Sequence, residues 1–164
     1  MKTQILISFI SISTILLMPC GDDGSKSPKI DFKNQSLQGV VNKTPWQFVT
    51  GTAEISPFDA GKLSIDMTAE AVTDPCNTFF FEGLRVFFSV TNEVGLYEFA
   101  LDFNNPDASQ TITLYDPDGS LNTIITEGAL EILTITSTEV TGRIDGRYDD
   151  DNYVNGDFTV PFCE

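Results

Sequence analysis

Carboxylates are the side chains of this sequence with the most capacity for chemistry, because the chain holds 24 of them and no histidine. The densest run is Asp149-Asp150-Asp151 with Asn152, and Asp157 follows closely. Oxygen ligands suit a hard cation, and crowded carboxylates repel one another unless water or a cation separates them. We therefore consider a calcium site at Asp149, Asp150, Asp151 and Asp157. A solvated connection between two strands is the alternative.

A second acidic motif, Asp116-Pro117-Asp118-Gly119-Ser120, superficially resembles the calcium-binding loop of an EF-hand. It lacks that loop's third acidic ligand, its bidentate glutamate and its flanking helices. A hairpin turn explains the same residues, because Asp caps the backbone, Pro fixes φ and Gly accepts a positive φ. Asp116 and Asp118 are thus calcium candidates against the alternative of a turn. Calcium is the only cofactor that the sequence suggests.

Catalytic machinery is not visible in the sequence. Without histidine the chain cannot form a Ser-His-Asp triad or a His-ligated zinc site, and glycine-rich phosphate loops do not occur. Two carboxylates about 5 to 10 Å apart could still hydrolyse a glycosidic bond. Glu98 and Asp102 share one face of a predicted strand, but they would lie roughly 13 Å apart. We assign no catalytic residue and predict that the protein is not an enzyme.

Three other side chains are candidates for contact with a ligand or partner. Arg143 and Arg147 share the polar face of a predicted strand, with Asp145 between them, and could orient a carboxylate or sulfate. Pairing with acids on neighbouring strands is the alternative. In Phe79-Phe80-Phe81 adjacent rings must point apart, so the run either fills the core between two layers or leaves Phe80 exposed to a partner.

The first 24 residues predict export and a lipid anchor. A basic start leads into the apolar run Ile5 to Met18, which is shorter than the roughly 20 residues that span a bilayer and is typical of a signal peptide. Leu17-Met18-Pro19-Cys20 resembles a bacterial lipobox, although Pro19 stands where that motif prefers Gly, Ala or Ser. The resemblance implies removal of residues 1–19 and lipidation of Cys20.

Cysteine number and net charge narrow the choice of partners. If Cys20 carries lipid, Cys76 and Cys163 remain as one pair in an oxidising compartment, and we predict a disulfide between them. Residues 1–19 hold one basic and no acidic residue, so the mature chain has a net charge of −16. Such a field repels nucleic acid and anionic headgroups. We expect membrane contact through the anchor only, no nucleic acid, and an unknown protein or glycan as partner.

The elements that must position these residues are strands. From Lys62 to Ala71 apolar and polar residues alternate, and the same period of two recurs in 97–103, 140–148 and 158–162. Between Leu130 and Ile135 the apolar phase slips by one residue, which indicates a β-bulge or burial on both faces. We predict an all-β fold, an antiparallel β-sandwich or partly closed barrel of about nine strands. It would occupy residues 34–164, after a signal peptide in 1–19 and a flexible tether in 20–33.

The layout of the whole chain resembles that of small surface lipoproteins of Bacteroidota. The lipobox, the acidic Asp22-Asp23, the Val41-Asn42-Lys43-Thr44-Pro45-Trp46 opening and the closing Gly156-Asp157-Phe158 carry the resemblance, with Lys43 where that group usually has glycine. The resemblance implies an outer-membrane lipoprotein at the cell surface, with the periplasmic face as the alternative. We expect a binding or accessory protein without catalytic activity. A carboxylate-based glycan hydrolase and a structural or adhesin-like surface component are the alternatives.

Overall fold

The computed structural model describes residues 29–119 and 121–164. Segments of alternating apolar and polar residues form strands along most of this part of the chain. The predicted signal peptide and Cys20 lie outside these residues. The strands are Gln38–Val41 (β1), Thr44–Gln47 (β2), Thr50–Ile55 (β3), Lys62–Thr68 (β4), Arg85–Thr91 (β5), Gly95–Glu98 (β6), Ile112–Asp116 (β7), Leu121–Ile125 (β8), Glu127–Ile135 (β9), Glu139–Asp149 (β10) and Asn152–Cys163 (β11). Two short 3-10 helices, Pro75–Asn77 and Pro106–Ala108, lie in the loops before β5 and β7.

These strands form one curled sheet in the order β6-β9-β10-β11-β3-β4-β5-β7-β8, and β1 pairs with both β11 and β2. Neighbouring strands are antiparallel except β11 and β3, where Phe162 and Cys163 pair in parallel with Ala53 and Glu54. The sheet curls into a half-barrel. Its two ends approach one another across the core, because Gly146 of β10 packs directly against the side chain of Ile112 of β7.

The all-β prediction is confirmed, but a single mixed sheet replaces the predicted pair of antiparallel sheets. The reason is the length of β11, which spans 12 residues. Its first half pairs with β1, β10 pairs along most of its length, and its last two residues pair with β3. One continuous strand therefore joins the two groups of strands that would otherwise be separate layers. The curled sheet corresponds to the partly closed barrel, the second of the two architectures that the sequence predicts.

The inner face of the half-barrel is the hydrophobic core. In β4 the alternation places Leu63, Ile65 and Met67 inside, as expected, and the strand ends at Thr68, before Ala69 and Ala71. The predicted phase slip in β9 is a bulge, since the register with β10 shifts at Leu133. Trp46 is in the core, as its alternation with Phe48 indicates. The outward positions of β3, β4, β5 and β7 thereby hold mostly polar and charged side chains, with Phe87 as an apolar exception.

Candidate functional site

A cleft of about 460 Å³ lies on the outer face of β3, β4, β5 and β7. Successive residues of a strand point to opposite faces, so the residues between the core positions line this cleft. Its charged side chains are Glu54 of β3, Lys62 and Asp66 of β4, and Arg85 of β5. These charged residues occupy positions of three neighbouring strands whose side chains point away from the core.

The loop between β4 and β5, residues 69–84, forms a wall beside this cleft. Cys76 in the loop is bonded to Cys163 at the end of β11, with Cα atoms 5.4 Å apart, so the predicted pairing is present. At the end of the loop, the Leu84 carbonyl accepts a hydrogen bond of 3.1 Å from the indole N–H of Trp46. The loop is thus attached to the sheet by the disulfide and by hydrogen bonds, and both cysteines line a smaller cavity that also reaches Asp66.

An ion pair between Asp66 and Arg85 lines one end of the cleft. Arg85 Nη1 donates to Asp66 Oδ2 at 2.9 Å, while 18% of the Arg85 side chain and 29% of the Asp66 side chain stay exposed. The other carboxylate oxygen, Asp66 Oδ1, and Arg85 Nε are buried and have no hydrogen-bond partner among the described residues. Burial raises the pKa of Asp66 above its usual value, and it outweighs the opposing charge and hydrogen bond of Arg85. The ionised carboxylate is therefore held in an unfavourable environment.

Two aromatic rings fix the guanidinium group of Arg85. Its Cζ atom lies 4.8 Å from the ring centre of Tyr115 on β7 and 5.6 Å from that of Phe87 on its own strand. These rings meet edge to face with their centres 6.5 Å apart. Cation–π contacts of this kind contribute on the order of 0.5 to 2 kcal/mol each. The cationic group is therefore positioned before any ligand arrives.

A second carboxylate shares the cleft with Asp66. Glu54 is paired in register with Ser64, two residues before Asp66 on the same face of β4. Diagonal neighbours of this kind have β-carbons on the order of 7 Å apart, and the negative charge of Glu54 adds to the rise in the pKa of Asp66. Two carboxylates therefore converge on one concave surface, one of them partly desolvated. Glu54 and Asp66 lie on different strands and share no motif, so the sequence did not predict this pair.

Arg143 and Arg147, the predicted ligand contacts, lie on the outer face of β10 and are already occupied by this chain. Arg143 Nε donates to Glu131 Oε2 at 2.6 Å, and its guanidinium lies 4.4 Å from the ring centre of Phe32. Arg147 Nη2 pairs with Asp145 Oδ2 at 2.9 Å and donates to the Lys29 carbonyl. Pairing with nearby acids, the alternative interpretation of these arginines, is what the structure shows.

The N-terminal segment, residues 29–33, lies across this part of the sheet, although the sequence analysis placed it in a flexible tether. The Asp31 N–H donates to Asp145 Oδ2 at 2.7 Å, and the Lys33 N–H donates to Asn155 Oδ1 at 2.9 Å. Asn155 Nδ2 donates in turn to the Asp31 carbonyl and to Asp145 Oδ1. The carboxylate of Asp145 is buried, and three donors of the chain itself satisfy it. The segment therefore covers part of the outer face of β10 and β11, beside a cavity of about 350 Å³ that Arg147 lines, and the Arg147 side chain stays 41% exposed.

The acidic turn between β10 and β11 is organised by its own hydrogen bonds. Asp149 Oδ1 accepts from the Asp151 N–H at 2.9 Å and from Asn152 Nδ2 at 3.1 Å, and Asp149, Asp150 and Asp151 are exposed. Asp157 lies further along β11, opposite Arg143, and does not join them. Within residues 29–119 and 121–164, no three His, Cys, Asp or Glu side chains are grouped closely enough to hold a metal ion.

Asp116 caps the turn between β7 and β8, as the hairpin interpretation expects. Its Oδ1 accepts from the Asp118 N–H at 2.9 Å, and its Oδ2 accepts from Asn42 Nδ2 in the turn between β1 and β2. The hydrogen bond from Asn42 is the main reason why the pKa of Asp116 lies below its usual value. Asp118 is exposed. The motif that resembles a calcium loop thus joins two hairpin turns.

The three consecutive phenylalanines of the wall have different environments. Phe81 is buried, Phe80 is 60% exposed and Phe79 is 97% exposed. Phe80 also lines a cavity of about 330 Å³ with Arg85, Tyr115 and Pro117, on the other side of the wall from the disulfide. Both expectations for this run therefore apply, one ring to the core and another to an exposed position beside Arg85.

Comparison with known proteins provides no relative for this chain: no family model, curated protein or solved structure matches it. Across the described ranges, 29–119 and 121–164, no helix has the length and apolar character needed to cross a bilayer.

Proposed function

We propose that this protein is a lipid-anchored extracytoplasmic binding protein that holds a small ligand in the outer-face cleft. The observation that carries the proposal is the Asp66–Arg85 pair, a partly desolvated carboxylate and a prepositioned guanidinium that line a concave surface. Perturbed ionisable groups in a cleft are typical of functional sites. The raised pKa of Asp66 means that its ionised form destabilises the fold, which a purely structural role does not explain.

The anchor and the location are proposed from the sequence. Lipidation of Cys20 would place the domain outside the cytoplasm, as an outer-membrane lipoprotein at the cell surface. A protein in that position can capture a ligand itself or act as an accessory subunit that delivers it to a partner. Cys20→Ala should release the protein from the membrane fraction, and unchanged retention would contradict the lipobox interpretation.

The binding role is tested with the mature chain in detergent and a panel of defined compounds: neutral sugars, uronic acids, amino acids and diamines. Saturable binding by calorimetry to a member of the panel should weaken in Asp66→Asn. Glu131→Gln is the matched control, because Glu131 also pairs with an arginine on the outer face but lies outside the cleft. Equal losses in both variants, or no effect of Asp66→Asn, would remove the cleft as the binding site.

A hydrolase is the second candidate, favoured by the convergence of Glu54 and Asp66. A raised pKa suits a general acid, and two carboxylates on the order of 5 to 10 Å apart are sufficient for glycoside hydrolysis. Turnover of aryl glycosides by the wild type, and its loss in both Glu54→Gln and Asp66→Asn, would support this candidate. Binding without turnover would leave the non-catalytic function.

A further inference from the structure

The charge balance of the cleft differs from that of the protein as a whole. The chain carries a net charge of −15, yet the charged side chains of the cleft are two acids, Glu54 and Asp66, and two bases, Lys62 and Arg85. A charged ligand would therefore meet opposing charges and would also lose its hydration. A neutral ligand does not carry that cost, so the lining favours one.

Hydroxyl groups make up most of the remaining lining. A hydroxyl side chain both donates and accepts a hydrogen bond, and it can rotate to suit either role. Such a lining matches a ligand with many hydroxyl groups of its own, each of which also donates and accepts. The six hydroxyl side chains are Thr52, Ser64, Ser89, Ser109, Thr111 and Thr113.

An apolar surface and a charged pair lie side by side among these hydroxyl groups. Phe87 is half-buried and stands directly opposite Asp66 in the pairing of β4 with β5. Facing residues of an antiparallel pair have β-carbons about 4.5 to 5.5 Å apart. A pyranose ring presents an apolar C–H face to an aromatic ring, and its rim offers adjacent hydroxyl groups. Those hydroxyls can donate to the carboxylate and accept from the guanidinium.

We propose that the ligand is a neutral saccharide, with one pyranose ring over Phe87 and adjacent hydroxyl groups hydrogen-bonded to Asp66 and Arg85. This inference depends on the proposed binding function and names the ligand class for the same cleft. The volume of the cleft, about 460 Å³, falls in the range of small-ligand sites.

The test compares three trimers of similar shape and different charge on the mature chain: neutral cellotriose, anionic trigalacturonate and a cationic glucosamine trimer. Calorimetry gives the affinity, and the ¹H–¹⁵N resonance of Arg85 Nε reports on the cleft itself. We expect saturable binding of cellotriose with a shift of that resonance, and at least about tenfold weaker binding of both charged trimers. Asp66→Asn and Phe87→Ala should each reduce cellotriose affinity about tenfold, and Glu131→Gln should leave it unchanged.

Different failures have different meanings in this experiment. Tighter binding of a charged trimer, with the same Arg85 shift and the same loss in Asp66→Asn, would overturn the neutral-saccharide inference and leave the proposed binding function standing. Binding that ignores both cleft variants would contradict the inference and the proposed function together. If no trimer binds, the saccharide inference is wrong, and the wider compound panel decides the binding function separately.

Discussion

Two regions of the outer face pair arginines with carboxylates, and they differ in how completely the chain satisfies the carboxylate. On β9 and β10, Arg143 and Arg147 pair with Glu131 and Asp145, and both oxygens of Asp145 accept hydrogen bonds. On β4 and β5, Arg85 pairs with one oxygen of Asp66 beside a cleft, and the other oxygen is buried without a partner within the described residues. The carboxylate is thus fully hydrogen-bonded by the chain in one region and incompletely hydrogen-bonded in the other.

The difference shows that an arginine in a strand says little about function until its surroundings are known. Asp145 accepts three hydrogen bonds from donors of the chain itself, so its burial is compensated. For Asp66 burial outweighs the attraction of Arg85, and its pKa is raised. A carboxylate in a cleft whose ionised form is disfavoured by burial is a stronger candidate for function than one whose hydrogen bonds are complete.

The largest expected effect comes from removing the disulfide. Cys76 and Cys163 are 87 residues apart, and a cross-link of that span stabilises by about 4.5 kcal/mol in the chain-entropy model. Cys76→Ala with Cys163→Ala should therefore lower the free energy of unfolding by several kcal/mol in a urea titration. The wall, residues 69–84, should lose its attachment to β11 and with it the shape of the cleft.

Hydrogen exchange on the same double variant would separate the two regions. Amides of the wall should exchange faster than in the wild type, while the Asp31 and Lys33 amides should keep their protection relative to global unfolding. Their partners, Asp145 and Asn155, lie on β10 and β11, away from the disulfide. Equal deprotection of both regions would mean that the disulfide supports the whole sheet and is not specific to the cleft.

The next effect is a contrast between one substitution made at two places. In Asp145→Asn, at least one amide N–H faces a donor of the chain, so we expect a loss of about 2 to 3 kcal/mol at neutral pH. In Asp66→Asn, an unfavourable buried charge is removed, and stability should be unchanged or slightly higher. Urea titrations of both variants give the comparison. A large loss in Asp66→Asn would contradict the interpretation that the ionised carboxylate lies in an unfavourable environment.

The pH dependence of the Asp66 variant follows from the direction of its pKa shift. The pKa of Asp66 is raised in the folded state. Below its usual pKa of 3.8 the side chain is protonated in both states and does not lower the free energy of unfolding. As pH rises through the folded-state pKa, the free energy of unfolding falls. Asp66→Asn should therefore match the wild type at pH 3 and gain on it above the raised pKa. Asp116 behaves oppositely, since its lowered pKa contributes stability that is lost on acidification through the folded value.

Local patterns in the sequence predicted much of the fold. The alternation in 62–68 defines both faces of β4, the phase slip in β9 marks its bulge, and the Asp-Pro-Asp-Gly motif forms a turn. Each of these features depends on neighbours in the sequence. The joining of the strands into one curled sheet does not, because it depends on how far β11 extends past β10 to reach β3.

The sequence did not predict the cleft, because its residues also come from strands that are distant in the chain. Asp66 and Arg85 are 19 residues apart, and each occurs once in its strand as an ordinary outward residue. One local signal was available, since Arg85 interrupts the apolar run Leu84 to Phe88. Arg143 and Arg147 were predicted as ligand contacts because they are close in sequence. The segment that contacts Arg147 begins 118 residues before it, so the sequence pattern did not reveal that contact. Proximity in the chain did not indicate which arginines are available.

The smallest predicted effect lies in the turn between β1 and β2, outside both regions and next to the acidic turn between β10 and β11. Asn42 and Lys43 both have a positive φ, 46° and 68°, and two-residue hairpin turns of this type favour Asn-Gly. Lys43→Gly should relieve left-handed strain and raise the free energy of unfolding by about 0.5 to 1 kcal/mol, measured by urea titration.

The control for this substitution is Lys43→Ala, which removes the same charge and keeps a β-carbon at a positive φ. The Lys43 N–H donates to the Asp151 carbonyl at 3.1 Å, and that hydrogen bond survives in both variants. Loss of the lysine charge beside the acidic turn should weaken the fold in both variants. Equal stabilisation of Lys43→Gly and Lys43→Ala would therefore contradict the explanation by backbone strain. A gain in the glycine variant alone would trace the stabilisation to the relief of strain at Lys43. The affinity of the cleft should be the same in both variants, because Lys43 does not line it.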